Sequence, residues 1–317
     1  DNTQGKIDIA GKVVNYATKT QQGSLTEGGT MDLPNILVYQ DGGGGLNISG
    51  TIAGNGGEVQ VANRRGNATI TNSAYLQNNG SMRLTNAPVN DSNTGQSDDV
   101  FNNTIFTMNG RVSNTGDLTI WNEGYGGLNI GSSSIENTGD ILIQNGPEPN
   151  TGGANTWNSK VGELTISGTI SNSNGNFDIT NYATDISGLN IQGTGKVSNS
   201  NGDMTITNYG AEGLNLANGG TVSGSASDIT MNNYGDMGMN IHGSVTATGT
   251  GDITLYNDKS GTNGILVDST GKVNGANNVY IKNYATGRDN KRLTNLGGEV
   301  GGVNIRGNVT AGKTADI

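Results

Sequence analysis

Cysteine is absent from the 317-residue sequence, and proline and histidine are scarce, with four residues and one residue respectively. Without cysteine the chain has no means of forming a disulfide, a zinc–thiolate site or a thiol nucleophile. Proline lacks the backbone N–H that a central strand uses, so a low proline content is compatible with strands that have neighbours on both sides. These absences exclude several kinds of chemical site and favour a strand-rich chain.

Charged residues are also few, at 14% of the chain, and they sum to a net charge of −10. Nucleic acids and anionic membranes select for clusters of Lys and Arg, so neither is predicted as a partner. No apolar run approaches the ~18 residues of a membrane span, so no membrane insertion is predicted. Hydrophobic residues make up only 31% of the chain, which suits an elongated body with a thin core.

What the sequence has in abundance is repetition, and the pattern is clearest over residues 188–257. The copies read GLNIQGTGKVSNSNGDMTITNYG, GLNLANGGTVSGSASDITMNNYG and GMNIHGSVTATGTGDITLYN. Each copy holds three short apolar segments separated by turn residues. The Asn that closes the third segment recurs at Asn208, Asn233 and Asn257, 25 and 24 positions apart. Self-similarity at this period predicts a solenoid in which each copy is one turn.

The closing amide can be followed through most of the chain, always four residues after the first apolar member of its segment. The series consists of Gln40, Asn63, Asn86, Asn122, Asn145, Asn181, Asn208, Asn233, Asn257 and Asn283. It predicts ten complete rungs and the start of an eleventh, with most rungs roughly 23–27 residues long. The repeat around Ala68, Ile70 and Leu76 matches the pattern least well.

The segments alternate apolar and polar residues over three to five positions, which is typical of short strands with one buried face. Because every unit repeats the same order of strands, equivalent strands can stack in parallel about 4.8 Å apart. The sequence therefore predicts an all-β fold, a parallel β-helix in which like residues stack on like. The closing amides are predicted to form a structural ladder, as side-chain amides do in cross-β stacks.

We expect one continuous β-helix over residues 1–317, because the repeats leave no boundary between domains. The chain begins at Asp1 without Met and ends in the middle of the pattern at Ile317. These two features favour a fragment of a longer protein. Four segments interrupt the repeat as insertions, at residues 15–34, 87–104, 146–161 and 284–301.

Three of these insertions follow a third segment and precede a first segment, so a regular coil would place them at one corner. Loops on a rigid scaffold often carry recognition, and an exposed Trp can stack on a sugar ring. The alternative is that they are tolerated insertions or contacts to a neighbouring molecule. The candidate binding edge consists of Asp98, Asp99, Trp157, Arg288, Lys291 and Arg292.

Acidic residues form a column of their own, five residues before the closing amide. Its members are Asp117, Asp140, Asp203, Asp228 and Asp252. Stacked carboxylates could recruit Ca²⁺, but the replacements Asn176 and Asn278 at the same position favour capping of the turn through Asx hydrogen bonds. No metal site is predicted.

A second polar column is predicted on the outward face of the first strand, where Leu266 interrupts it. This column contains Asn47, Thr107, Asn129, Thr165, Asn190, Asn215, Asn240 and Asn304. It could bind a glycan or another rod, although a solvated sheet face with mutual amide bonds is favoured. The single histidine, His242, has no second His, Cys or paired acid in its own repeat, so we expect an exposed turn and no catalytic or metal site.

Phrases such as GRVSNTGDLTIWN (110–122), GELTISGTISN (162–172) and GKVSNSNGDMTITN (195–208) resemble the repeats of filamentous-haemagglutinin-type exoproteins. These are large adhesins that Gram-negative bacteria release by two-partner secretion, and they include leukotoxin-like filamentous adhesins. The short secretion-domain motifs of that family are not recognisable in this chain. The resemblance implies a right-handed β-helix, an extracellular or cell-surface location, no cofactor and an adhesive or filament-forming role.

Two functions follow as expectations. The first is a non-catalytic extracellular rod whose partner is a glycan or protein on a host or neighbouring cell, or other copies of itself. The second is a carbohydrate-active β-helix, a polysaccharide lyase or hydrolase. Acid–base catalysis needs a positioned pair of titratable groups, whereas the acids of this chain recur in columns and its bases are few.

Overall fold

The computed structural model of the chain describes residues 5–15, 21–24, 30–33, 35–41, 43–86, 104–146, 161–183, 187–258, 264–284 and 302–317. These residues form strands and the turns between them, and they include no helix. All but two of the strands belong to three parallel sheets of eleven strands each.

The first sheet takes the first strand of every rung, and each of its strands is three residues long. Its strands are Ile7–Ile9, Leu46–Ile48, Ala68–Ile70, Phe106–Met108, Leu128–Ile130, Leu164–Ile166, Leu189–Ile191, Leu214–Leu216, Met239–Ile241, Ile265–Val267 and Val303–Ile305.

The second sheet takes the second strand of every rung, with a buried aliphatic residue at the second position of each strand from Thr51–Ala53 to Lys272–Gly275. Its strands are Lys12–Val14, Thr51–Ala53, Tyr75–Asn78, Arg111–Asn114, Ser134–Asn137, Thr169–Asn172, Lys196–Asn199, Thr221–Gly224, Ser244–Ala247, Lys272–Gly275 and Asn308–Ala311.

The third sheet contains the longest strands and ends each rung. Its strands are Ile36–Gln40, Glu58–Asn63, Ser81–Asn86, Leu118–Asn122, Ile141–Asn145, Phe177–Asn181, Met204–Asn208, Ile229–Asn233, Ile253–Asn257, Val279–Asn283 and Ala315–Asp316.

The predicted parallel β-helix is confirmed, with each strand paired to the equivalent strand of the next rung. The repeat around Ala68 forms a full rung in register with both neighbours. The eleventh rung is more complete than predicted, because Ala315–Asp316 supplies its third strand. Eleven rungs at about 4.8 Å each give a body roughly 50 Å long.

The core is a set of aliphatic columns enclosed by the three sheets. In the first sheet Leu189, Leu214 and Met239 stack on one another, and all three are at most 1% exposed. The third sheet has a matching column in which Phe177 lies between Ile141 and Met204. The alternation seen in the sequence thus fixes the face that each strand buries, because successive strand residues point to opposite faces.

The predicted amide ladder is confirmed from Asn63 to Asn283. Each Asn donates one side-chain N–H to the Oδ1 of the equivalent Asn in the next rung, at 2.8–2.9 Å. The amides are almost completely buried, with at most 1% exposed from Asn63 to Asn257. Many donate their second N–H to a glycine carbonyl of the following turn, as Asn208 does to Gly210 at 2.8 Å.

The first rung departs from this ladder. Gln40 stands opposite Asn63 in the sheet, but its side chain is one methylene longer and its Nε2 donates to the carbonyl of Gly5. The buried Oδ1 of Asn63 has no hydrogen-bond partner. The predicted membership of Gln40 is therefore correct for backbone register and wrong for side-chain bonding.

A second buried Asn column ends the second strand of rungs 3 to 7, and the sequence analysis missed it. Its members are Asn78, Asn114, Asn137, Asn172 and Asn199, each at most 4% exposed. Asn114 donates to Asn137 at 2.9 Å, and other members donate to turn carbonyls, as Asn199 does to Gly202. The sequence does contain a signal for this column, because in these five rungs an Asn stands two residues after the buried aliphatic residue of the second strand.

The corner after the third strand requires glycine where successive turns lie close together. A Cβ on Gly210 would lie 1.8 Å from the carbonyl oxygen of Ser187, and a Cβ on Gly235 would lie 1.9 Å from that of Gly210. Neighbouring turns therefore contact backbone to backbone, which only glycine permits. This contact explains the glycine of the Asn-Tyr-Gly sequence that ends rungs 7 and 8.

The predicted insertion nearest the N-terminus, residues 15–34, contains an antiparallel hairpin. Its two strands are Gln21–Ser24 and Thr30–Leu33. The hairpin follows the second strand of the first rung, so it belongs to a different corner from the other three insertions.

Candidate binding edge

The six residues predicted as a binding edge lie outside the described residues. Asp98 and Asp99 fall in residues 87–103, Trp157 in residues 147–160, and Arg288, Lys291 and Arg292 in residues 285–301. What the structure does describe is the attachment of these segments. Each follows the third strand of its rung and precedes the first strand of the next, so all three leave the β-helix at one corner, as predicted. We call this corner the insertion corner.

A stack of tyrosines occupies the insertion corner between the second and third of these insertions. The stack contains Tyr182, Tyr209, Tyr234, Tyr256 and Tyr284, one from each of rungs 6 to 10. Four of them directly follow a ladder Asn, and Tyr256 directly precedes one. The sequence analysis missed the stack, although the recurring Asn-Tyr pair was its signal. We call this set the tyrosine edge.

The rings of the tyrosine edge change orientation along the rod. Tyr182, Tyr209 and Tyr234 are nearly parallel, with interplanar angles of 9° and 10° and centroids 5.3 and 4.9 Å apart. Tyr256 and Tyr284 are tilted by 60° and 51° from the preceding ring, at 6.0 and 5.6 Å. Tyr284 is 60% exposed.

Carboxylates accompany these rings. The exposed side chains of Glu212, Asp236 and Asp258 lie in the same turns of rungs 7 to 9. Tyr256 donates its hydroxyl to Asp258 Oδ2 at 2.7 Å, and this hydrogen bond raises the pKa of Tyr256 to about 12. Burial, with smaller contributions from Tyr209 and Asp258, also raises the pKa of Tyr234. The insertion corner is thus aromatic and acidic over these rungs.

Another carboxyl group belongs to the same corner, two rungs before that of Glu212. Glu163 is partly withdrawn from solvent, and this burial raises the pKa of its carboxyl, with a further contribution from the charge of Glu212. Hydrogen bonds to Thr165 and Asn190 oppose the shift. A raised carboxyl pKa is one property of a general acid, and burial likewise raises the pKa of Glu123 at this corner and of Asp178 in the third sheet. Glu163, with the charge of Glu212 near it, is one described candidate for a catalytic alternative.

The aspartate column bonds between rungs and not within its own turns, which corrects the expected Asx capping. Asp117 Oδ1 accepts from the backbone N–H of Asp140 at 3.2 Å, and Asp140 Oδ1 accepts from that of Asn176 at 2.8 Å. Asp228 and Asp252 are linked in the same way. Within the described ranges, no group of three or more His, Asp or Glu side chains is close enough to hold a metal ion.

The outward column of the first sheet is in register as predicted, and it also includes Asp8 and Thr69. Asn215 donates to Asn190 Oδ1 at 3.0 Å, and Asn47 donates to Asp8 at 2.9 Å. These two pairs bond as the favoured interpretation expected, and the Asn215–Asn190 bond is of the amide–amide kind.

His242 has an acidic partner that the sequence analysis did not find. Its Nδ1 lies 2.8 Å from Asp268 Oδ2, and the two side chains are 33% and 28% exposed. The hydrogen bond with His242 is the main cause of the lowered pKa of Asp268. Asp268 occupies the same turn in the next rung, which is why a search within one repeat missed it.

A polar groove of about 360 Å³ follows the corner between the second and third strands in rungs 4 to 7. Its lining consists of Ser, Thr and Asn side chains with Glu136 as the one charged residue. Several of these groups already bond within the chain, as Ser171 Oγ does to the carbonyl of Ile135 at 3.3 Å. The groove offers no aromatic surface.

Comparison of the chain with models of protein families finds no match, and comparisons with curated proteins and with solved structures find none either. The resemblance to filamentous-haemagglutinin-type exoproteins therefore stays a prediction from the quoted repeats. Among the described residues there is no helix long and apolar enough to cross a membrane.

Proposed function

We propose that this chain is an extracellular structural and adhesive rod, part of a larger bacterial surface or secreted protein, that mediates attachment or filament formation without catalysis. The observation that carries the proposal is the unbroken register of three eleven-stranded parallel sheets. Each rung of such a solenoid is fixed to its neighbours, so the distance between any two rungs along the axis is constant. A spacer between a cell and its target requires this property.

The amide ladder supports the same role. The bonds from Asn63 to Asn283 are parallel to the stack of rungs, and they add to the backbone bonds that already join each rung to the next. Bending the rod would lengthen these bonds on one side, and buried amides are costly to leave unpaired. The ladder therefore stiffens the body against bending.

The regular faces are poor candidates for selective recognition. Columns of small polar residues such as Asn190, Asn215 and Asn240 present similar groups at successive rungs, and Asn215 bonds to Asn190. The insertion corner differs, because three inserted segments that do not repeat are attached there, and it also carries the only stacked aromatic column among the described residues. We therefore place attachment at the insertion corner.

The test is to shorten residues 148–158 and 287–296 to Gly-containing turns, separately and together, and to measure binding to cells and to glycan arrays. We expect binding to fall in each single variant and to be lost in the double variant, because these two segments are non-repeating sequence attached at the insertion corner. The β-sheet circular dichroism is expected to stay unchanged, since the ladder bonds lie elsewhere.

The matched control shortens residues 21–33, the hairpin at the other corner, and is expected to leave binding intact. If the doubly shortened rod binds as well as the unchanged chain, attachment does not reside on the two shortened insertions.

A further inference from the structure

The tyrosine edge has the geometry of a binding site that follows the rod axis. Its five rings occupy consecutive rungs, with centroids 4.9–6.0 Å apart. It begins next to Gly146, where a Cβ would lie 3.1 Å from the Cβ of Tyr182, and ends at Tyr284, where the insertion at 284–301 starts. A ligand that contacts the whole edge must be extended and must repeat at about the spacing of the rungs.

Ring orientation restricts the chemistry of that ligand. Tyr182, Tyr209 and Tyr234 stack face to face, so a ligand at this part of the edge meets ring edges and hydroxyls and not the faces between the rings. Cations bind to the negative face of an aromatic ring and not to its positive edge. The parallel part of the tyrosine edge therefore offers little to a Lys- or Arg-rich chain and more to oxygen atoms that accept hydrogen bonds.

The carboxylates beside the rings restrict the chemistry of the ligand further. Glu212, Asp236 and Asp258 are exposed beside the rings, and the whole chain carries a net charge of −10. A polyanion would be repelled, whereas carboxylates readily accept hydrogen bonds from hydroxyl groups. The tilted rings of Tyr256 and Tyr284 leave apolar surface on which the C–H face of a sugar can pack.

We propose that the tyrosine edge binds a linear, neutral polysaccharide lying along the rod axis, with about one sugar unit at each rung. This inference rests on the proposed adhesive function and names its ligand class. A hexopyranose unit in an extended chain has a length close to the rung spacing of about 4.8 Å. Each sugar then contacts a ring and a nearby carboxylate, and the contacts add along the edge.

The experiment is affinity electrophoresis of the full chain in gels that contain hydroxyethylcellulose or glucomannan, two neutral polymers with an extended backbone, or polygalacturonate as an anionic one. Poly-lysine beads serve as the cationic probe. We expect retardation by at least one neutral polymer and none by polygalacturonate. Poly-lysine attracts any surface of a chain with a net charge of −10, so its retention is expected to be equal for the unchanged chain and for the tyrosine variants. The double variant Tyr256→Ala, Tyr284→Ala is expected to lose about tenfold in affinity, the loss expected for two aromatic contacts.

Two further variants separate contact from folding. Tyr209→Phe keeps the stack but removes a hydroxyl, so it should keep the unfolding midpoint and weaken binding by several-fold. Tyr75→Ala removes a tyrosine of the second sheet, away from the edge, and should leave binding unchanged. A purely structural role of the rings predicts the opposite for Tyr209→Phe, namely full binding.

The proposal is overturned if no neutral polymer is bound, if only poly-lysine or polygalacturonate is bound, or if the double tyrosine variant binds as tightly as the unchanged chain. In the last case, binding that is lost on shortening 148–158 and 287–296 would keep the adhesive function and remove the tyrosine edge from it. Binding that survives both changes would count against both proposals.

Discussion

Replacing Asn233 by Leu is expected to lower the free energy of unfolding by about 3 kcal/mol. The buried Asn233 amide donates to Asn257 at 2.8 Å and to the carbonyl of Gly235 at 2.9 Å. It accepts from Asn208 at 2.9 Å and from the N–H of Gly235 at 3.3 Å. A leucine replaces none of these bonds, so groups on three residues are left without partners in a site that water does not reach. Denaturant unfolding followed by circular dichroism measures the change.

Asn232→Leu is the matched control, because it makes the same substitution one residue earlier on the opposite face. Asn232 is half-exposed and donates only a 3.3 Å bond to Thr207 Oγ1. We expect a change within about 0.5 kcal/mol, as for most surface substitutions. Equal effects of the two variants would mean that the amide column is solvated and contributes nothing particular to stability.

Replacing Phe177 by Ala is expected to cost about 3–5 kcal/mol, the range for removing a buried aromatic side chain from a core. Phe177 is fully buried in the third sheet between Ile141 and Met204. The core of a rung has room for few side chains, so neighbours have little freedom to fill the cavity. The same denaturant titration measures this loss.

Asp178→Ala controls for the strand itself, since Asp178 is the next residue and points outward. Its substitution should change stability by no more than about 0.5 kcal/mol. A loss of less than 1 kcal/mol for Phe177→Ala would contradict the packing of the core column.

In a solenoid the losses of stability in Asn233→Leu and Phe177→Ala should also appear as local weakening around rungs 6 to 8, because each rung contacts only its neighbours.

The fold could be predicted from the sequence because the same pattern of apolar and polar residues recurs in every rung of a solenoid. The pair Ile253 and Leu255 alone is compatible with many folds, but the same pair followed by Asn at every rung fixes strand, face and register together. Repetition also recovered the weak rung at Ala68, since its neighbours on both sides define where its strands must lie. The amide ladder followed from the same register.

Contacts between unlike positions in neighbouring rungs could not be predicted as well. His242 and Asp268 are 26 residues apart, and neither matches its counterpart in the adjacent repeats. The aspartate column was assigned to local turns because Asx capping is a short-range rule, whereas its carboxylates bond to the next rung. In both cases the interacting groups are far apart in the sequence, and the stacking of one rung on the next brings them into contact.

The tyrosine edge was missed for a different reason. A Tyr follows only four of the ladder Asn residues, and Tyr256 precedes its ladder Asn instead, so the sequence does not show the five rings as one column. Stacking of rungs brings these rings within 6.0 Å of one another, which converts separate turn residues into one surface. The predicted site residues of the insertions remain untested, because they lie outside the described residues.

We propose that the chain binds its target and does not transform it. The most direct measurement is to incubate the full chain with a panel of neutral and acidic polysaccharides, and to quantify bound protein and newly released chain ends in the same samples. We predict saturable binding with no release of ends above that of heat-denatured protein. Release that scales with protein concentration and is lost in Glu163→Gln or Glu212→Gln would contradict the claim and favour a carbohydrate-active enzyme.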